Sequence, residues 1–187
     1  MNPWDRLANL FYRAATGSIR RKLLLTPLGL LFFFGLIALF IFASFWVDEW
    51  LDFLSFGSSL WSSTLSILLM VIGSALIIPT VIAFGRLKGT PVPFNPPPKL
   101  NTTGLYAYVR NPMLTGIFFM LFGLGVLFSS LSLIFIFAPL FILLMVLELK
   151  FVEEKEMEKK FSEAYLEYKR RVPMFIPRVK RVKNEKN

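Results

Sequence analysis

Residues 104–116, GLYAYVRNPMLTG, gather an arginine, an asparagine and two tyrosines immediately ahead of a long apolar run. Arg110 and Asn111 can hold an anion at a helix start, where unpaired backbone N–H groups and the helix dipole favour negative charge. Further on, Glu148 and the pair Glu153-Glu154 supply carboxylates, and Tyr165 and Tyr168 supply aromatic faces with polar tips. The chain has no cysteine and no histidine. Thiol nucleophiles, histidine bases, disulfides and zinc sites of the usual ligand sets are thereby excluded. Chemistry must run on carboxylates, Tyr, Arg, Lys, Asn or a bound cofactor, and no metal site is expected.

Each of these groups also has a plainer reading. Asn followed by Pro is a standard helix start, with Arg110 as an interfacial anchor. Tyr106 and Tyr108 fit an aromatic belt at a membrane surface, and Glu153-Glu154 fit a solvated helix face. Gly116, Gly123 and Gly125 suit close helix packing better than a phosphate loop, which needs a strand before it. Glu148 is harder to dismiss: a carboxylate in an apolar hairpin costs about 2–3 kcal/mol unless it is paired or near the interface. Lys150 and Arg110 are its candidate partners.

The elements that must position these groups are membrane helices. The 187 residues are 55% hydrophobic with a mean hydropathy of +0.60, well above ordinary soluble domains. No charge falls between Lys22 and Asp48, between Asp52 and Arg86, or between Arg110 and Glu148. A span takes about 20 apolar residues, so the first two stretches each supply one and the third supplies two short ones. The expected architecture is all-α: a polytopic membrane protein with about four transmembrane helices, near 24–47, 60–84, 112–128 and 132–149. The turn of the last pair falls at Ser129–Ser132. The first span is too long for a cleavable signal, whose apolar core is about 7–15 residues.

Charge sets the orientation. All 21 basic residues lie before the first span, in the 85–110 connection or from Lys150 onward, and none lies in 48–59 or 129–132. The positive-inside rule therefore puts both termini and the 85–110 loop in the cytoplasm. The net charge of +9 flanks membrane spans and carries no nucleic-acid fold signature. Anionic lipid headgroups account for it, at about 1 kcal/mol per basic residue. The expected setting is the cytoplasmic membrane of a prokaryote, with membrane lipids as neighbours and no nucleic acid.

Four segments follow. Residues 1–22 place Trp4, Leu7, Leu10 and Phe11 at helical spacing as an amphipathic surface helix. Residues 23–84 hold two spans. Residues 85–178 form the chemically rich unit, opened by the proline-rich GTPVPFNPPP. Residues 179–187 are a basic tail. A cytoplasmic helix is expected over 150–170, with Met157, Phe161, Ala164, Tyr165 and Tyr168 along one face. Glu156 with Lys160, and Glu163 with Glu167, then lie on its solvated side. The short hairpin brings Tyr106, Arg110, Asn111, Glu148, Glu153 and Glu154 to one membrane face.

The order GTPVPFNPP, TTGLYAYVRNPMLTG, helical hairpin, EE, FSEAYLEYKRRVPMFIPR resembles the integral membrane methyltransferases of the isoprenylcysteine carboxyl methyltransferase and phospholipid N-methyltransferase superfamily. The resemblance covers roughly residues 85–178. Its pattern is similar to G-x-Y-x-x-x-R-H-P-M-Y-x-G, then E-E, then F-G-x-x-Y-x-x-Y and P-R-x-x-P. Gly104, Tyr106, Arg110, Pro112, Met113 and Gly116 match the first part, with Leu105 inside it. Glu153 and Glu154 match the acidic pair, Phe161, Tyr165 and Tyr168 the closing helix, and Pro173 and Pro177 the final prolines. Asn111 stands where the isoprenylcysteine branch has histidine and is similar to an N-P-M version in phospholipid methyltransferases. Leu114, Ser162 and Met174 also depart from the pattern.

The resemblance implies S-adenosylmethionine as cofactor and methyl transfer to a lipid-like or prenylated acceptor. It implies that Arg110 and Asn111 hold the cofactor carboxylate and that Glu153 and Glu154 take its ammonium, ribose or adenine amine. Tyr106, Tyr165 and Tyr168 then stack on adenine or lie against the sulfonium. Glu148 is a candidate proton acceptor for an amine substrate. Phe118, Phe119, Phe122, Phe128, Phe135 and Phe137 favour an acyl or prenyl chain, unless they merely face lipid. On this reading Arg110, Glu153 and Glu154 can be truncated without unfolding the chain, and Glu156 and Glu158 without consequence. A nicotinamide-dependent membrane reductase and a non-catalytic membrane protein are the alternatives.

Overall fold

The computed structural model describes residues 6, 19–53, 56–57, 59–86 and 99–177, with side chains in the first long helix from Leu25 onward. Five helices follow one another, and no strand occurs among the described residues. They are α1 (Ile19–Trp50), α2 (Leu60–Arg86), α3 (Pro112–Leu127), α4 (Leu133–Phe161) and α5 (Glu163–Arg171). The expected surface helix lies outside the described residues, apart from Arg6 and the first residues of α1. Most of the proline-rich connection and the basic tail lie outside them too.

Three helices are long and apolar enough to cross a membrane: Leu25–Trp50, Leu60–Arg86 and Leu133–Phe161. The 16-residue α3 is the shorter fourth. At 1.5 Å per residue it measures about 24 Å, less than a hydrocarbon core of about 30 Å. Its ends therefore sit at or below headgroup depth. The expected boundary between a fourth span ending near residue 149 and a separate cytoplasmic helix over 150–170 does not appear. Instead α4 runs on through Lys150 and the Glu pair to Phe161, and the chain breaks at Ser162, whose φ of 49° no helix accepts. Two wide i→i+5 turns interrupt the α-helical pitch of α4, at Leu133–Phe137 and Leu149–Glu153. The first precedes Pro139, whose missing N–H and ring disfavour a regular turn there.

Small residues bring α2 and α3 together. Ser66, Gly73 and Thr80 recur every seven residues on α2 and are buried. Gly116 and Gly123, also seven apart, are buried on α3. Ser66 Oγ donates to the Gly123 carbonyl at 2.9 Å. This is the close backbone approach that membrane helices use where no hydrophobic drive separates helix from lipid. Aromatic packing joins α1 to α4 instead, with Phe40 stacked edge-on against Phe137 at 5.5 Å and Phe33 against Phe141 at 5.9 Å. Phe118 belongs to this core, Phe119, Phe122 and Phe137 are half-buried, and Phe128 and Phe135 are exposed.

A polar knot closes the end of the bundle away from the RNP motif. Asp48 at the end of α1 accepts the Ser132 N–H at 2.8 Å and the Ser130 hydroxyl, and Ser132 Oγ donates to the Ser44 carbonyl at 2.7 Å. Asp48 thus satisfies the open N-terminus of α4 from another helix, and Ser130 is buried rather than an exposed turn residue. Asp48→Ala is expected to cost about 1–2 kcal/mol, the scale of a lost N-cap, read as a lower thermal midpoint in detergent. Glu49→Ala, one residue on and exposed, serves as the comparison and should change little.

Candidate active site

The RNP loop forms because Gly104 adopts a left-handed φ of 62° and starts a tight turn over Gly104–Ala107. That turn leads Leu105 and Tyr106 back over α2, where the Tyr106 ring meets Phe84 edge-on at 6.2 Å. The Tyr106 carbonyl accepts the Tyr168 hydroxyl at 2.8 Å. Asn111 then takes the N-cap position and Pro112 opens α3, as the sequence indicates. The Asn111 side chain makes no capping bond. Its carbonyl instead accepts both the Thr115 N–H at 3.0 Å and the Thr115 hydroxyl at 2.8 Å.

Arg110 is the centre of the site. Its Nη1 donates to the carbonyls of Lys169 at 2.9 Å and Val172 at 3.1 Å. Lys169 is in the last turn of α5 and Val172 is its C-cap, where unpaired carbonyls and the helix dipole attract a cation. Its Nη2 pairs with Glu154 Oε1, and Lys169 Nζ holds the other oxygen, Oε2, at 2.6 Å. Lys169 also reaches Glu158 at 2.9 Å. Glu154 is only 5% exposed, so its charge depends on these two cations. Arg110 Nε is buried and has no hydrogen-bond partner among the described residues.

The chain's C-terminal segment is tied to the same loop. The Arg110 N–H donates to the Pro173 carbonyl at 2.9 Å and the Asn111 N–H to the Met174 carbonyl at 3.1 Å. Phe175 then packs its ring 5.2 Å from Phe118 in the core. Two adjacent main-chain bonds and one anchored ring make residues 173–175 a strap across the start of α3.

Several groups stand where the sequence left them open. Arg110, a candidate partner for Glu148, pairs with Glu154. Glu153 and Glu148 are half-buried. Met113 is half-buried beside the fully buried Pro112. Gly116 lies against α2, where an added Cβ would stand 2.7 Å from the Gly73 carbonyl. Tyr165 and Tyr168 are buried in a small core with Val172, Leu100, Met157 and Phe161, while Ala164 is exposed because the Ser162 break turns it outward. Glu156 contradicts its expected solvated place: it is 2% exposed. Glu158 is a lysine partner rather than a bystander. The Lys169 and Val172 carbonyls escaped sequence reasoning, since a backbone acceptor leaves no mark in residue type.

Burial raises the phenol pKa of Tyr106, Tyr165 and Tyr168 above the ordinary value of 10. The Glu153 charge adds to the effect on Tyr106, and the Glu154 and Glu153 charges to that on Tyr165. A group whose folded pKa is raised contributes stability that is complete below its unfolded pKa and is lost as pH rises toward the folded one. The thermal midpoint should therefore fall as pH climbs past about 10, with tyrosinate absorbance lagging until the chain unfolds. Ionisation of these three rings at ordinary pH in the folded protein, measured in a Tyr108→Phe variant that removes the exposed ring, would show them to be solvated.

A family model for phospholipid methyltransferases matches residues 61–164, more than half the chain. The chain belongs to the phospholipid methyltransferase family. No curated protein and no solved structure matches it. The matched region runs from the start of α2 to the beginning of α5. It holds the RNP loop, α3, both wide turns of α4 and the Glu pair. An integral membrane methyltransferase follows from the family and from three helices able to cross a bilayer.

Proposed function

We propose that the chain transfers a methyl group from S-adenosylmethionine to a lipid-like or prenylated acceptor at the cytoplasmic face, the acceptor arriving from the bilayer. The observation that carries this reading is the engagement of Arg110 with Glu154 and with the carbonyls of Lys169 and Val172. One side chain thereby gathers the RNP loop, the Glu pair and the closing helix. The residues suit the cofactor: Arg110 Nε is a buried donor without a partner, and the Asn111 amide is not engaged in capping. Both suit a carboxylate. Half-buried Glu153 suits an amino group or a ribose diol.

When bound, S-adenosylmethionine supplies a methyl group activated by a sulfonium. The chain's own part is to position and to exclude water, which carries most of the work in an in-line displacement that releases a neutral thioether. Arg110 Nε and Asn111 would hold the cofactor carboxylate. Tyr106, with Tyr165 and Tyr168 behind it, offers aromatic surface to a cation or a base. The 173–175 strap closes the loop side. Glu148 would take the proton of an amine acceptor. The cytoplasmic face is supported by the one-sided distribution of all 21 basic residues.

Ligand binding tests the reading. S-adenosylhomocysteine at 100 times its Kd should stabilise the detergent-solubilised protein by about 2.7 kcal/mol, while NADPH should not. Stabilisation by NADPH alone would favour a reductase. For orientation, cysteine at Thr102 should react with an impermeant reagent only from the cytoplasm, and cysteine at exposed Ser59 only from outside.

A further inference from the structure

Arginine and a carboxylate commonly pair as two forks, with neighbouring guanidinium nitrogens such as Nε and Nη2 on the two carboxylate oxygens. Arg110 and Glu154 do not. Nη2 takes Oε1, while Nε stays buried with no hydrogen-bond partner among the described residues. A buried donor left unpaired loses its hydration without return, so something must hold the fork open.

Lys169 does so. Its Nζ lies 2.6 Å from Glu154 Oε2, the oxygen that Nε would otherwise take. Glu158, one helical turn beyond Glu154 on α4, holds the same ammonium at 2.9 Å. The main chain of Lys169 acts on Arg110 as well, its carbonyl accepting Nη1 at 2.9 Å beside the Val172 carbonyl at 3.1 Å. Nη1 and Nη2 are thus both directed, and a planar guanidinium fixed at both has one direction left for Nε. The neighbours of Lys169 do something plainer: Arg170 and Arg171 pair with Glu163 and Glu167, all four of them exposed. Lys169 lies beyond the region that the family model matches.

We propose that Lys169 is a positioning residue: by occupying Glu154 Oε2 it keeps Arg110 Nε free for the carboxylate of a bound ligand. Without the ammonium, Glu154 brings its second oxygen onto Nε, closes the fork and consumes the donor. One ion-pair partner then replaces another, so the fold survives and the affinity for a carboxylate does not. That the ligand is S-adenosylmethionine rests on the methyltransferase reading, whereas the state of Nε does not.

The test uses the full chain in detergent. Lys169→Met keeps the stem and removes the charge, Lys169→Arg keeps the charge, and Arg171→Met breaks an exposed pair as a control. S-adenosylhomocysteine carries the amino-acid carboxylate, and methylthioadenosine lacks it. Lys169→Met should bind S-adenosylhomocysteine about 10-fold more weakly, the scale of one charged hydrogen bond, and methylthioadenosine as wild type does. Lys169→Arg should restore most of the affinity, and Arg171→Met should match wild type. With isotope-labelled arginine, the Arg110 Nε–H resonance is identified by its absence in Arg110→Lys. It should move in Lys169→Met toward the position of a carboxylate-bound donor and return in Lys169→Arg. A purely structural Lys169 would instead weaken both ligands alike. Equal loss for the two ligands, no loss for either, or an unmoved resonance overturns the proposal. If wild type binds neither ligand, the methyltransferase reading fails, and the resonance still decides the role of Lys169.

Discussion

Arg110→Ala should lower the thermal midpoint sharply as well as remove cofactor binding. The substitution takes away the partner of a carboxylate that is 5% exposed, and breaking a buried pair from one side costs about 3–5 kcal/mol. Lys169 remains on the other oxygen of Glu154, which keeps the loss toward the lower end. The Lys169 and Val172 carbonyls lose their donor as well. Arg110→Lys should recover part of the stability, because it keeps the charge but not the fork that serves carboxylate and carbonyls together. Thermal unfolding in detergent measures both. A midpoint unchanged in Arg110→Ala would mean that Arg110 is a solvated anchor and the three motif stretches do not meet.

Gly116→Ala and Gly73→Ala should each destabilise by about 1–3 kcal/mol, the usual cost of overpacking, although alanine is the better helix former. In each case the new Cβ would stand 2.7 Å from a backbone carbonyl of the facing helix. Backbone cannot rotate away, so α2 and α3 must separate. Gly35 and Gly85 provide the contrast: a Cβ there meets nothing within 4 Å. Alanine at those positions should be neutral or gain about 0.5–1 kcal/mol from helix propensity. Equal effects at all four glycines would remove the close α2–α3 approach from the fold.

Much of this molecule is legible in residue type and spacing. The helices show because uncharged stretches of this length admit no other structure in a bilayer. Asn111 and Pro112 mark the start of α3 because a missing N–H matters least there. The wide turns were not legible, since Leu149–Glu153 holds no proline or glycine to announce them. Met157, Phe161, Tyr165 and Tyr168 still pack as their spacing indicates, but Glu156 beside them, which the same spacing puts in solvent, is buried. The Ser162 break was equally silent, because serine tolerates helix and turn alike. Arg110 was legible as important but not as structural: its partner on α4 is 44 residues away and its carbonyl partners on and beyond α5 are 59 and 62 away.

The most direct measurement is transfer of labelled methyl from S-adenosylmethionine by the purified chain, with and without added lipid extract, followed by solvent partition. The expected result is label in the organic phase that depends on the extract, is lost in Glu153→Ala, and competes with S-adenosylhomocysteine. Label confined to water-soluble product, with the extract making no difference, would contradict an acceptor drawn from the bilayer. A folded protein that transfers label to neither phase across a broad lipid extract would contradict the methyltransferase account itself.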